Sequence, residues 1–279
     1  MKKTLILCAA ALISLSAAAQ LTPEYYKSQY QRQVKVLGPA GVGVETIIDK
    51  WERVAPEDGE MLEARFSYYL AKSRYSEVVR KDQARYLGAK PVVTLKDSLG
   101  RPVNYFQEDF FVDSLFARSC TAIDRAIALY PDELRYRFDK ISSLVQYEKE
   151  SPDMALDELL KLIEHNNAAK PSWKLDGAEA DEDTFIQAVQ EYCFDFYRIG
   201  TPIGYEAFLN VSTRMSKLYP KNSAFVSNIG TYWLIAKDNG KKAKSFYKKA
   251  LKLNPEDVAA TSNMKLIQSS QSAKGRSSK

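Results

Sequence analysis

Residues 228–257, NIGTYWLIAKDNGKKAKSFYKKALKLNPED, constrain the fold more than any other stretch of the chain. They read as two short amphipathic helices, a tight turn between them, and a firm stop. In the first helix Gly230 lies beside Ile229 and one turn from Trp233. A small residue thus interrupts an apolar face, and a partner helix can approach closely there. Asp238, Asn239 and Gly240 supply the turn, because Asn and Gly tolerate positive φ at little cost. Ala243, Tyr247 and Ala250 share one face of the second helix, and Pro255 keeps it from running on.

The closing phrase recurs. VAPED surrounds Pro56, LYPDE Pro131, LYPKN Pro220 and LNPED Pro255. Each ends one helix and precedes the next. The order Ile229-Gly230, Trp233, Ala243, Tyr247, Ala250 and Pro255 resembles the tetratricopeptide repeat, a helix pair of about 34 residues. It departs from that family in two places: Val226 stands where an aromatic is usual, and the turn is one residue longer. The resemblance implies an all-α fold, a tetratricopeptide-like helical-hairpin solenoid. It also implies a protein or peptide ligand along the first helices of successive pairs.

Taken in order, residues 23–37 carry Tyr25, Tyr26 and Tyr30 at helical spacing, and residues 44–54 form the second member of that pair. Residues 59–73 start another pair, with Leu62, Phe66, Tyr69 and Leu70 on one side and residues 74–87 prolonging the helix. Its partner spans 110–130 and carries Phe116, Cys120, Ile123, Ala126 and Ile127. Between them residues 91–106, PVVTLKDSLGRPVNYF, read as an inserted β-hairpin turning at Asp97 to Gly100. Further pairs follow over 134–148 with 153–165 and over 181–199 with 202–219, separated by a loop over 166–180. A capping helix from 256 to about 269 closes a count of about five pairs.

The ends behave differently from this body, which spans residues 20–270. Residues 1–19 have a Lys2-Lys3 start, an apolar run and an Ala17-Ala18-Ala19 cleavage signal. They predict an exported protein cleaved after Ala19, periplasmic in a Gram-negative cell or secreted. The apolar run is too short to cross a membrane, and no later stretch is long enough. Lys2, Lys3, Lys274, Arg276 and Lys279 account for the whole excess of 40 basic over 35 acidic residues. A neutral body lacks the footprint that nucleic-acid binding needs. Residues 271–279 read as a disordered basic tail. Cys120 and Cys193 fall on apolar helix faces and read as small buried groups rather than a disulfide.

The sequence offers little for catalysis. The single histidine, His165, sits near a helix end, where the dipole suits it and no nucleophile or metal partner is in sight. Asp176, Glu179, Asp181, Glu182 and Asp183 cluster without the alternating ligands and central glycine of a calcium loop. No cofactor, metal or catalytic residue is expected. Lys241, Lys242, Lys244, Lys248, Lys249 and Lys252 read as a solvated outer face, with an acidic partner or anionic lipid as the functional alternative. What remains is the groove that the resemblance implies. Placing Ile229-Gly230 on the family's Leu-Gly turns Thr231, Leu234 and Ile235 toward it. A weaker match at Phe138, Ile141, Ser142 and Val145 adds Tyr136, Asp139, Ser143 and Tyr147, and the earlier helix adds Tyr68. Ser227 and Thr231 occupy the positions where chaperone-type members clamp a terminal carboxylate, which argues against that ligand. A noncatalytic scaffold binding a protein or peptide is the expectation, with stacking of these aromatics on an envelope glycan as the alternative.

Overall fold

The computed structural model describes residues 22–277, with side chains to Ser269. The expected signal segment and the last two residues lie outside it. Contacts divide the chain into two compact units.

The first unit comprises residues up to Arg74 together with Val112–Tyr130. It holds α1 (Pro23–Leu37), α2 (Val44–Val54), α3 (Gly59–Ser73) and α4 (Asp113–Leu129). Thr22 caps α1 by accepting from the Tyr25 amide, and Pro23 occupies the first turn, where its missing N–H costs nothing. Asp58 caps α3 through the Glu60 and Met61 amides, and its second oxygen accepts the Trp51 indole N–H at 2.9 Å. Ile48, Trp51, Met61, Leu62, Ile123 and Ala126 form the buried core. Arg65 ties α3 to α2 through Asp49 at 2.9 Å and Glu52 at 2.8 Å. The Val112 amide donates to the Ser73 carbonyl, drawing the end of α3 to the start of α4 although a long insertion separates them in sequence.

The second unit comprises Tyr75–Phe111 and the chain from Pro131 onward. The insertion is a three-stranded sheet in the order β1-β3-β2, from β1 (Arg74–Lys81), β2 (Val93–Lys96) and β3 (Pro102–Phe111). The hairpin expected from sequence is present: β2 and β3 pair antiparallel, with Val93 opposite Tyr105 and Leu95 opposite Val103. Its turn is pinned by Asp97, which accepts from the Leu99 and Arg101 amides, and Gly100 takes the positive φ that closes it. The expected prolongation of α3 over 74–87 is corrected: residues 74–81 are strand β1, and 82–87 leave the strand as a bend and turn. Tyr75, Val78 and Val79 favour a pleated backbone, and β3 supplies the ladder that a lone helix extension would lack.

Helices α5 (Leu134–Glu148) with α6 (Asp153–Ala169), α7 (Glu182–Ile199) with α8 (Pro202–Leu218), and α9 (Ser223–Ile235) with α10 (Gly240–Leu253) are successive pairs. The loop between α6 and α7 contains a short ladder, β4 (Lys174–Leu175) with β5 (Ala178–Glu179), turning at Asp176-Gly177. Trp173 beside it stacks on Phe185 and donates its indole N–H to Asn166. Gly230 meets α10 as the spacing predicts: a Cβ there would lie 2.7 Å from the buried Tyr247 ring. Helix α11 (Val258–Ser277) covers the last pair through Ala260 and Ile267. It runs past the expected end near residue 269 into the tail, because Gln, Ala and Lys sustain a helix more readily than the Gly and Ser content suggests. These consecutive helical hairpins, with their insertion and cover, make the fold tetratricopeptide-like. No described helix is long and apolar enough to cross a membrane.

Candidate functional site

Alternation along β3 builds the site. Asn104, Phe106 and Glu108 are buried on one face of the strand, while Gln107 between them is exposed. Glu108 is 7% exposed. Its carboxylate takes the Lys149 ammonium at 2.5 Å, Lys81 at 3.3 Å and the Tyr86 hydroxyl at 3.2 Å. Burial alone would raise this carboxyl, but hydrogen bonds from Lys149 and Lys81 and their charge outweigh it and hold it below the ordinary value. Both ammoniums also sit over rings, Lys81 over Tyr86 at 4.0 Å and Lys149 over Phe110 at 3.8 Å. Lys149 follows α5 with φ 58 and ψ −101, a backbone conformation that non-glycine residues rarely adopt. The charge cluster holds it there.

Two cavities open beside this cluster, both walled by the second unit. One, of about 390 Å³, lies between β3 and the helices α5 and α7, with Phe106, Glu108, Gln146, Lys149, Asp195 and Arg198 on its walls. The other, of about 620 Å³, is walled by Arg85, Tyr86, Glu150, Tyr197, Arg198 and Tyr205. The turn from Tyr86 to Ala89 divides them. Leu87 and Gly88 both take positive φ, and a Cβ on Gly88 would come within 3.2 Å of the Arg198 carbonyl. Burial pushes the Tyr86 hydroxyl up, and Glu150 and Glu108 push it further, so it remains a hydrogen-bond donor at every physiological pH. The walls thus offer rings, N–H donors and carboxylate acceptors in a small space.

The residues predicted from sequence take several places. Tyr68 is buried, donating to Glu45 at 2.7 Å and accepting from Lys72 at 2.5 Å. Tyr136 and Ser143 are buried on α5, where the Ser143 hydroxyl donates to the Lys140 carbonyl. Thr231 accepts from Tyr247 at 3.2 Å and Asn263 at 3.4 Å, tying α9 to α10 and α11. Leu234 packs on the same cluster. Tyr147 is half-buried with its ring edge on Phe111, and Ile235 is exposed. Asp139 makes no hydrogen bond or ion pair among the described residues. Burial pushes its carboxyl up to about 6, against the pull of Arg135 and with a further push from Asp176.

Sequence reading did not single out Glu108, Lys149, Tyr86 or Arg198. The available signal was the alternation Asn104, Phe106, Glu108 with a polar residue facing inward on an inserted strand. The other sequence features have local explanations. Asp181 caps α7, Asp176 pairs with Arg135 at 2.8 Å, and His165 meets the Trp173 ring edge. Cys120 and Cys193 are both thiols, and burial pushes Cys193 up to about 12.

No family pattern and no curated protein matches the chain. Among solved structures it is similar to YrrB, described as "a TPR protein with an unusual peptide-binding site". Identity is 12%, the match covers 91% of this chain and 98% of that one, and the TM-score is 0.41. It is also similar to MamA from Desulfovibrio magneticus RS-1, residue 41 to the end, at 14% identity and a TM-score of 0.37, covering 85% and 97% of the two chains. At such TM-scores the tetratricopeptide-like reading rests on the helix pairing and the Gly230–Tyr247 contact described above.

Proposed function

We propose that the mature chain is an exported, noncatalytic scaffold that holds a segment of a protein or peptide partner in the crevice beneath its inserted sheet. The observation that carries this reading is the pair of cavities on either side of the Tyr86–Ala89 turn. A polypeptide needs both donors and acceptors for its backbone and apolar recesses for its side chains. Arg85 and the free N–H groups of Arg198, which is paired with Asp195 at 2.6 Å, supply donors, Glu150 an acceptor, and Tyr86, Phe106 and Tyr205 the recesses. Helices α5 and α7 form the floor, and they are first helices of successive pairs, the class that the resemblance assigns to ligand contact. Asp139 and Tyr147 on α5 and Ile235 on α9, the first helix of the next pair, extend the same reading.

A glycan would draw on the same rings, but the ring of Tyr197 is already flanked by Tyr205 at 5.7 Å, Phe208 at 5.4 Å and Phe194 at 6.4 Å. Little aromatic face is left for a sugar to stack on, which favours the polypeptide. The residues ahead of Gln20 support export to the periplasm or beyond.

The test starts with capture of a partner from envelope extract by the mature protein, followed by calorimetry on the purified pair. Arg198→Ala with Gln146→Ala should weaken binding about tenfold or more while leaving the fold intact, since both side chains reach solvent. Unchanged affinity would remove the crevice from the reading. Binding to purified glycans with no polypeptide captured would move it to the alternative.

A further inference from the structure

Helix α10 carries more lysines than any other described helix. It carries Lys241, Lys242, Lys244, Lys248, Lys249 and Lys252 and no acidic residue. On other helices some such charges are matched within the same helix, Lys161 by Asp157 and Glu158 on α6 and Arg198 by Asp195 on α7, and others by a neighbouring element, as Arg214 is by Glu164. None of the α10 lysines has an ion pair among the described residues. Lys242 lies 3.3 Å over the Trp233 ring and Lys249 5.3 Å over Phe246. That leaves Lys241, Lys248 and Lys252 exposed in one stripe, opposite the fully buried Ala243, Tyr247 and Ala250, with half-buried Lys244 at its edge. The arrangement works against the helix twice over. Cations crowd its N-terminal turns, where the dipole favours anions, and like charges recur at four-residue spacing. Natural proteins break such local rules chiefly at functional sites.

We propose that this stripe docks an acidic helical segment of a protein partner, on a surface separate from the crevice. Lys244, Lys248 and Lys252 rise in steps of about 6 Å, which glutamates or aspartates at the same four-residue spacing on a facing helix would match. A bilayer is the poorer fit. Helices that settle on membranes need a free apolar face to bury, and the apolar face of α10 is already committed to α9 and α11.

The experiment uses the mature protein, residues 20–279, and a synthetic alanine-based helical peptide with glutamates at i, i+4 and i+8. A second peptide of the same composition spreads its glutamates around the helix. Anisotropy should show the striped peptide binding about tenfold tighter than the permuted one, and weakening as salt rises from about 50 to about 200 mM. Replacing Lys244, Lys248 and Lys252 by Gln should cost about tenfold in affinity and leave thermal stability equal or higher. The distant pair Lys90→Gln and Lys96→Gln should change nothing. Equal affinity for both peptides would overturn the proposal, as would full binding by the triple variant. So would association with phosphatidylglycerol vesicles in the absence of peptide binding. If the triple variant loses structure, the comparison of the two peptides on the unaltered protein still decides.

Discussion

Replacing Gly230 by Ala sets two known effects against each other at one atom. In an exposed helix interior the change stabilises by about 1 kcal/mol, because Gly loses more backbone entropy on folding. Here the added Cβ would sit 2.7 Å from Cε1, 2.9 Å from Cδ1 and 3.2 Å from Cζ of Tyr247. That ring is fully buried and packed among Ala243, Ala250, Ala260 and Ile267, so it cannot swing aside. Overpacking of this kind costs about 1–3 kcal/mol and should win, leaving Gly230→Ala destabilised by about 1 kcal/mol net. Leu at this position should disrupt the last pair altogether. The sign is the sharper test. In a Tyr247→Leu background the clash is gone and the propensity term acts alone, so the same Gly230→Ala change should now stabilise. Amide exchange of α9 and α10 reads the effect locally, where a global unfolding curve would blend two units. Slower exchange of Gly230→Ala in the unaltered background would refute the close contact and the register built on it.

Two carboxylates should give opposite pH responses. The Glu108 carboxyl is held below its ordinary value, so its contribution is present above about pH 4.5 and is lost as pH falls through the folded value. Amide protection of β3 should fall under acid, and Glu108→Gln, which leaves Lys81 and Lys149 facing each other, should cost about 3 kcal/mol at pH 7. The Asp139 carboxyl is raised to about 6, so ionising it costs stability as pH climbs from about 4 to above 6. Asp139→Asn should therefore stabilise by about 1–2 kcal/mol at pH 7.5 and by nothing near pH 4, read from denaturant midpoints across that range.

Much of the helical plan was legible because its signals are local. Pro56, Pro131, Pro220 and Pro255 stop helices by chemistry that needs no neighbour, and Asp97 to Gly100 makes a hairpin turn from its own side chain and φ. The strand over Arg74–Lys81 was missed because its partner, β3, lies far along the chain, and only that pairing makes strand the better state. The Asp176-Gly177 turn was readable as a hairpin signal, yet it stayed hidden inside a segment read as plain loop. Groove residues proved hardest. Tyr68, Tyr136 and Ser143 recur at helical spacing, but periodicity states only that a residue is on a face, not whether a neighbouring helix or solvent meets it. The Glu108 cluster draws on Lys81, Tyr86 and Lys149, whose assembly is a property of the packed sheet and of no local pattern.

The central claim, that the crevice beneath the sheet holds a polypeptide, is tested most directly by photo-crosslinking. A photoreactive amino acid at Gln146, on the cavity wall, is compared with one at Val42, which is 86% exposed in the first unit. The account predicts a covalent adduct to one partner polypeptide from the Gln146 position, reduced by Arg198→Ala, and none from Val42. An adduct from Val42 with none from Gln146 would contradict it.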